Sequence, residues 1–198
     1  MGFPFLTLFM IFIIWLAIRI HQSNARINAQ EEEFWNKERI ANSTPAKDIS
    51  NLRYITIPIE KFPLNFSSDS DILDIESQLK DLSTRPLINV TGKTNTELKT
   101  EYGVPNFEKL SKMGEDFDDA TVLLNRYGKA LIEAGRYEDA ITVLEFAVGC
   151  GTDISESYTL LGQCYKNLQN STKLDLLKNQ VEQSNLILKE SILNKLSS

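Results

Sequence analysis

YGKALIEAGRYEDAITVLEFA, residues 127–147, decides the fold. Apolar and small side chains enter at Phe117, Ala120, Leu124, Tyr127, Leu131 and Ala134, in steps of three and four, which is one stripe along an α-helix. Gly135-Arg136 interrupts the stripe. A second one follows on Tyr137, Ala140, Ile141, Leu144, Ala147 and Val148, and a break of two residues returns the second helix antiparallel to the first. Glycine inside a helix costs roughly 1 kcal/mol against alanine, so Gly128 implies that something approaches the backbone there.

Shifted by 34 residues, the pattern recurs. Leu124 becomes Tyr158, Tyr127 becomes Leu161, Gly128 becomes Gly162 and Leu131 becomes Tyr165. On these residues the chain resembles the tetratricopeptide repeat superfamily, whose signature positions are met in order by Leu124, Tyr127, Gly128, Leu131, Gly135, Tyr137, Ala140, Leu144 and Ala147. The resemblance covers residues 121–184 and implies that Gly128 faces Ala140 where two helices cross. The second repeat departs from the signature in its return helix, where Gln169, Ser171, Leu174 and Lys178 stand at its usual positions, and Thr152 replaces a common proline. Leu174, Leu177 and Val181 still make a stripe, and Leu188, Ile192 and Leu196 predict a last helix over the end of the stack.

The expected fold is therefore all-α: a transmembrane helix, then a short α-solenoid of this kind with capping helices. Residues 1–20 are read as anchor, 21–50 as stalk and linker, 51–68 as an extended arm, 69–113 as a helical cap or degenerate repeat, and 114–197 as hairpins with a C-terminal cap. As a whole the chain is similar to bacterial membrane-anchored repeat proteins, a resemblance that supplies no activity.

The anchor rests on the uncharged run FPFLTLFMIFIIWLAI at residues 3–18, which with Ile20 and a snorkelling Arg19 reaches the length of a bilayer core. No basic start and no small-residue cleavage site mark it as a removable signal. Arg19, Arg26, Lys37 and Arg39 follow the span and none precedes it, which predicts a single-pass protein with its C-terminal domain in the cytoplasm. The opposite orientation, with the domain exported, stays open. The MG start lacks the Ser or Thr at position six that myristoylation prefers. Residues 22–41 read as a solvated stalk helix; a coiled-coil dimer is the less supported alternative, because no a/d heptad repeats over three or four turns. Tyr54 and Thr56 alternate with Ile55, Ile57 and Ile59, while Pro58 and Pro63 forbid a central strand. Helices are expected from about residue 71 to 82, over NTELKTEYG with a stop at Gly103, and from Pro105 onward.

Several function classes fall away. The net charge of −6 and the pI near 5.0 offer nucleic acid no attraction. Cys150, Cys164 and the single His21 make no zinc spacing, TGKT at residues 91–94 lacks the upstream glycine of a phosphate loop, and no paired groups suggest catalysis, so neither cofactor, metal nor enzymatic activity is expected. The N-x-S/T triplets at Asn42, Asn65, Asn89 and Asn170 carry no function.

What the resemblance implies is a concave face lined by first-helix residues outside the stripe: Val122, Asn125, Lys129, Ile132, Glu156, Thr159, Gln163 and Lys166. Lys129 and Lys166, with Asn125 and Gln163, are placed to hold a carboxylate or a peptide backbone, and the arm over residues 52–66 is a candidate occupant in cis. The expected function is a membrane-tethered adaptor for a protein or peptide partner, in contact with the bilayer through residues 3–20. The alternative is a structural subunit, a homo-oligomer assembled through the ends of its repeats.

Overall fold

A computed structural model describes residues 4–197, so residues 1–3 of the expected anchor lie outside the described residues. The chain is all-helical: among the described residues there are eight α-helices and no strand, only one isolated antiparallel bridge between Ile55 and Leu87. It divides into two compact units, residues 1–49 with 94–107, and residues 50–93 with 108–198.

In the first unit α1 (Pro4–Asn42) is a continuous helix, on the order of 58 Å long at about 1.5 Å per residue. It is long and apolar enough to cross a membrane. Its C-terminal end is held by α3 (Asn95–Tyr102). Thr94 starts α3 with a reciprocal capping box to Glu97, and Ala41 and Leu98 are buried. Glu38 accepts a hydrogen bond from Thr96 and lies 3.8 Å from the Lys99 ammonium. Gly103 ends α3 at φ 87°, and a β-carbon there would stand 2.1 Å from the Pro45 carbonyl oxygen, so both conformation and space demand glycine.

Residues 94–107 were expected to join the helical cap at 69–113. The structure groups them with α1 instead, because the cap of α3, the 43–47 segment and Asn106 are stitched together. The Lys47 amide donates to the Tyr102 carbonyl at 3.1 Å, and the Asn106 amide donates to the carbonyls of Lys47 and Tyr102 at 2.8 and 2.7 Å. The helix α4 runs unbroken over Val104–Glu133, since Pro105 sits in its first turn, where its missing N–H costs nothing.

In the second unit α2 (Ser70–Ser83) is capped by Asp69, which accepts from the Asp71 amide at 2.8 Å, and it buries Ile75, Leu79 and Leu82. Then follow the remainder of α4, α5 (Tyr137–Gly149), α6 (Ser155–Asn167), α7 (Ser171–Gln183) and α8 (Lys189–Ser197). The two helix returns repeat each other at the level of the backbone. At the first, the Gly135 amide donates to Ile132 at 2.9 Å and Arg136 to Leu131 at 2.8 Å. Thirty-four residues later, Gln169 donates to Lys166 at 3.1 Å and Asn170 to Tyr165 at 2.8 Å. Gly135 has φ 75° and Gln169 φ 53°, so the same left-handed turn is made once by glycine and once, at a cost, by glutamine.

Leu124, Tyr127, Gly128, Leu131, Ala140, Leu144, Ala147, Tyr158, Leu161, Gly162 and Tyr165 are buried, and Tyr137 packs half-buried against the same core. The space above Gly128 is filled by Leu144, one turn beyond Ala140: a β-carbon on Gly128 would lie 2.6 Å from Leu144 Cδ2 and 2.7 Å from its Cγ. At Gly162 the equivalent space takes Leu196 of α8, Cδ2 at 2.2 Å, with Leu174 Cδ1 at 3.6 Å. In register with Leu144 stands Lys178, which cannot fill an apolar notch, and α8 supplies the missing leucine.

Candidate functional site

The eight residues expected to line the concave face separate into two groups. On α4, Asn125 is 7% exposed and fully engaged: its amide donates to Glu156 Oε2 at 2.8 Å and its carbonyl oxygen accepts from the Ser157 hydroxyl at 2.9 Å. Lys129 reaches Glu156 Oε1 at 3.4 Å. The Asn125 hydrogen bond first, and the Lys129 hydrogen bond and charge after it, hold the Glu156 carboxyl below its ordinary range. Ile132 is buried in the core, while Val122 is half exposed. This part of the face therefore ties α4 to α6, and Asn125 and Lys129 are committed within the chain.

The other three residues, all on α6, face a hollow, and the Thr159 hydroxyl donates to the Glu156 carbonyl at 2.9 Å. Thr159, Gln163 and Lys166 line an open hollow of about 400 Å³, joined there by Asn167 and by Lys195 from α8. Three, four and seven residues separate them along α6, so they share a face by helical geometry. Lys166 Nζ lies 3.4 Å from the Lys195 carbonyl oxygen, which brings the last turn of α8 to the edge of the hollow. Asn167 donates to the Gln163 carbonyl at 2.9 Å. The lining offers two ammonium groups, two carboxamides and a hydroxyl, a set suited to carbonyl and carboxylate oxygens. Asn167 and Lys195 were absent from the sequence expectation. Asn167 was recoverable as the residue four after Gln163. Lys195 was not, because its place follows from the insertion of Leu196 beside Gly162.

The arm over residues 51–68 packs on the side of the α4–α5 hairpin. Phe62 meets Phe146 edge-on with centroids 5.9 Å apart, Phe66 meets Tyr127 at 5.6 Å, and the Arg136 guanidinium covers Phe66 at 5.3 Å. Tyr127 donates its hydroxyl to Glu76 Oε1 and the Pro63 carbonyl, both at 2.8 Å, while the Asn65 amide donates to both Glu76 oxygens. These contacts direct the arm to Tyr127, Phe146 and Arg136 and not to the α6 hollow.

At the other end of the hairpins, Glu145 of α5 accepts from Tyr165 of α6 and Lys173 of α7, both at 2.7 Å, which fixes three helices at one carboxylate. Burial would raise that carboxyl, yet the Lys173 and Tyr165 hydrogen bonds outweigh it and hold it below the ordinary range. Among the described residues no group of three His, Cys, Asp or Glu side chains is placed to hold a metal ion. No protein-family model, curated protein or solved structure matches the chain.

Proposed function

We propose that the protein is a membrane-tethered adaptor: α1 anchors it in a bilayer, and a short tetratricopeptide-like stack of α4 to α8 takes up a segment of a protein partner along the α6 face. The observation that carries this reading is the open hollow at Thr159, Gln163, Lys166, Asn167 and Lys195, which gathers polar side chains of α6 and α8 on one face. The 34-residue recurrence of the helix returns supports the stack, and the cations after the span favour a cytoplasmic domain. The partner segment presents backbone carbonyls or carboxylates to the hollow, and it owes its orientation to them more than its affinity.

Affinity capture with the full chain from its own membranes tests this. Gln163→Ala with Lys166→Ala should release a partner that Glu182→Ala, on α7 and outside the lining of the hollow, retains. An identical set of captured proteins from all three chains would remove the hollow from the account. A reporter fused after residue 198 reads the sidedness independently.

A further inference from the structure

The juxtamembrane half of α1 is mostly polar; of its exposed large apolar side chains, Ile27 and Phe34 continue at seven-residue spacing a column that Ile13 and Ile20 begin inside the apolar span, while Trp35 and Ile40 lie off it. Ile13, Ile20, Ile27 and Phe34 are 43, 52, 54 and 53% exposed on one continuous helix. The next member of the column, Ala41, is buried where α3 closes the end of its unit. A straight helix of 3.6 residues per turn drifts by about 20° per seven residues. A strict seven-residue column therefore stays on one face only when the helix winds around a partner with a left-handed supercoil.

The charges beside the column indicate what the partner is. Arg26 precedes Ile27 on one flank, and Glu31 lies four residues after it on the other. In a parallel pair, the residue before the column on one helix faces the residue five positions later on the other, so Arg26 of each copy meets Glu31 of its mate. Glu33, which in the same geometry would meet Glu38, is already paired with Lys37 of its own helix at 2.7 Å, and Glu38 is occupied by Thr96 and Lys99, whereas Glu31 accepts a longer hydrogen bond, 3.4 Å, from the Trp35 indole of its own helix. A shared bilayer sets both copies parallel and raises their effective concentration, which offsets the weakness of a seam whose second column, Ser23, Gln30 and Lys37, is polar.

We infer that α1 pairs in parallel with α1 of a second copy through Ile20, Ile27 and Phe34, with Arg26 and Glu31 matched across the seam. The inference rests on the proposed anchoring of α1 in a bilayer and is independent of the α6 hollow.

Disulfide cross-linking of the full chain in lipid vesicles tests it, with the unsubstituted chain, which retains Cys150 and Cys164, as the background. Ile27→Cys and Gln30→Cys, on the seam, should form dimers readily, whereas Asn28→Cys and Glu32→Cys, on the outer face, should stay at background. Equal yields at all four positions, or background at all four, overturn the pairing. In the Ile27→Cys chain, Arg26→Glu should lower the dimer yield roughly fivefold, because two exposed ion pairs are lost. Adding Glu31→Arg should restore it. If the doubly exchanged chain cross-links no better than the single variant, the matched register is wrong.

Discussion

Leu144 lies directly over the α-carbon of Gly128, its Cδ2 standing 2.6 Å from where a β-carbon would be. A helix pays for its glycine here with about 1 kcal/mol of propensity and gains a leucine seated against its backbone. Because Leu144 Cγ is only 2.7 Å away, rotating the end of the leucine does not make room for a methyl group. Overpacking of this kind costs about 1–3 kcal/mol. Gly128→Ala should therefore lower stability by about 1 kcal/mol despite its better helix propensity, and Gly128→Val by about 3 kcal/mol. Truncating the opposing side chain in the same chain, Gly128→Ala with Leu144→Ala, should cost less than the sum of the two single changes. Thermal melts of the full chain check this; strict additivity would mean that the two residues do not meet.

Tyr127 and Tyr165 are buried, and each donates to a carboxylate. Burial first, then the hydrogen bond and the charge of Glu76 or Glu145, push both phenols above their ordinary range, and burial does the same at Tyr158. In the unfolded chain these groups ionise near pH 10, whereas in the folded chain they stay protonated to higher pH. The unfolded state thus binds fewer protons in this range, and stability falls as pH rises through and above about 10. Denaturant titrations between pH 8 and 11 should show a steep alkaline decline that flattens in Tyr127→Phe and Tyr165→Phe. At neutral pH, Tyr127→Phe should cost about 1.5–3 kcal/mol, because Glu76 loses a hydrogen bond to a charged acceptor in the core. A decline of equal slope in all chains would place its origin elsewhere.

These relationships differ in how far the sequence announces them. The 34-residue recurrence is legible because the 3.6-residue period and the spacing of Gly128 and Gly162 are local, and local pattern is what a helix reads. Which atom fills the notch is not local. Periodicity names the face that Gly128 occupies, but Ala140 and Leu144 share the facing stripe, and the choice between them depends on the offset of two helices. The grouping of residues 94–107 with α1, and the Tyr127–Glu76–Pro63 contacts, depend on side chains more than 50 positions apart. No window of sequence contains them. Among the residues expected to line a concave face the types were legible and their commitments were not, since an asparagine reads the same whether it awaits a ligand or, like Asn125, already holds Glu156 and Ser157.

Both thiols are pushed up to about 11 by burial, and Arg53 partly counters this at Cys150. At pH 8 the thiolate of each is then about a hundredfold scarcer than for a thiol with the ordinary value of 9.0. Alkylation of the native chain should be slower by about that factor at Cys150, which is half-buried, and should wait for unfolding at Cys164, which is buried. Mass-resolved labelling with iodoacetamide checks this. Rapid labelling of Cys164 under native conditions would contradict the packing of α6.

Asn125 joins α4 to α6 through a neutral amide placed between a carboxylate and a hydroxyl. Asn125→Ala should cost about 1–3 kcal/mol, since the Ser157 hydroxyl is fully buried and loses its acceptor. Asn125→Asp is the sharper variant because it keeps shape and the acceptor for Ser157 while setting a second carboxylate 2.8 Å from Glu156. Two carboxylates at that distance cannot both remain ionised, so the Glu156 carboxyl, held low in the native chain, should rise in the variant. In the native chain the lowered carboxyl contributes stability that is present above its unfolded value and lost as the pH falls. In the variant a raised carboxyl reverses that dependence. The stability gap between the two chains should thus be wide at pH 7 and narrow towards pH 4, as followed by denaturant unfolding at both. A gap that does not change with pH would mean that residue 125 and Glu156 are not in contact, and the α4–α6 junction beside the hollow would need another origin.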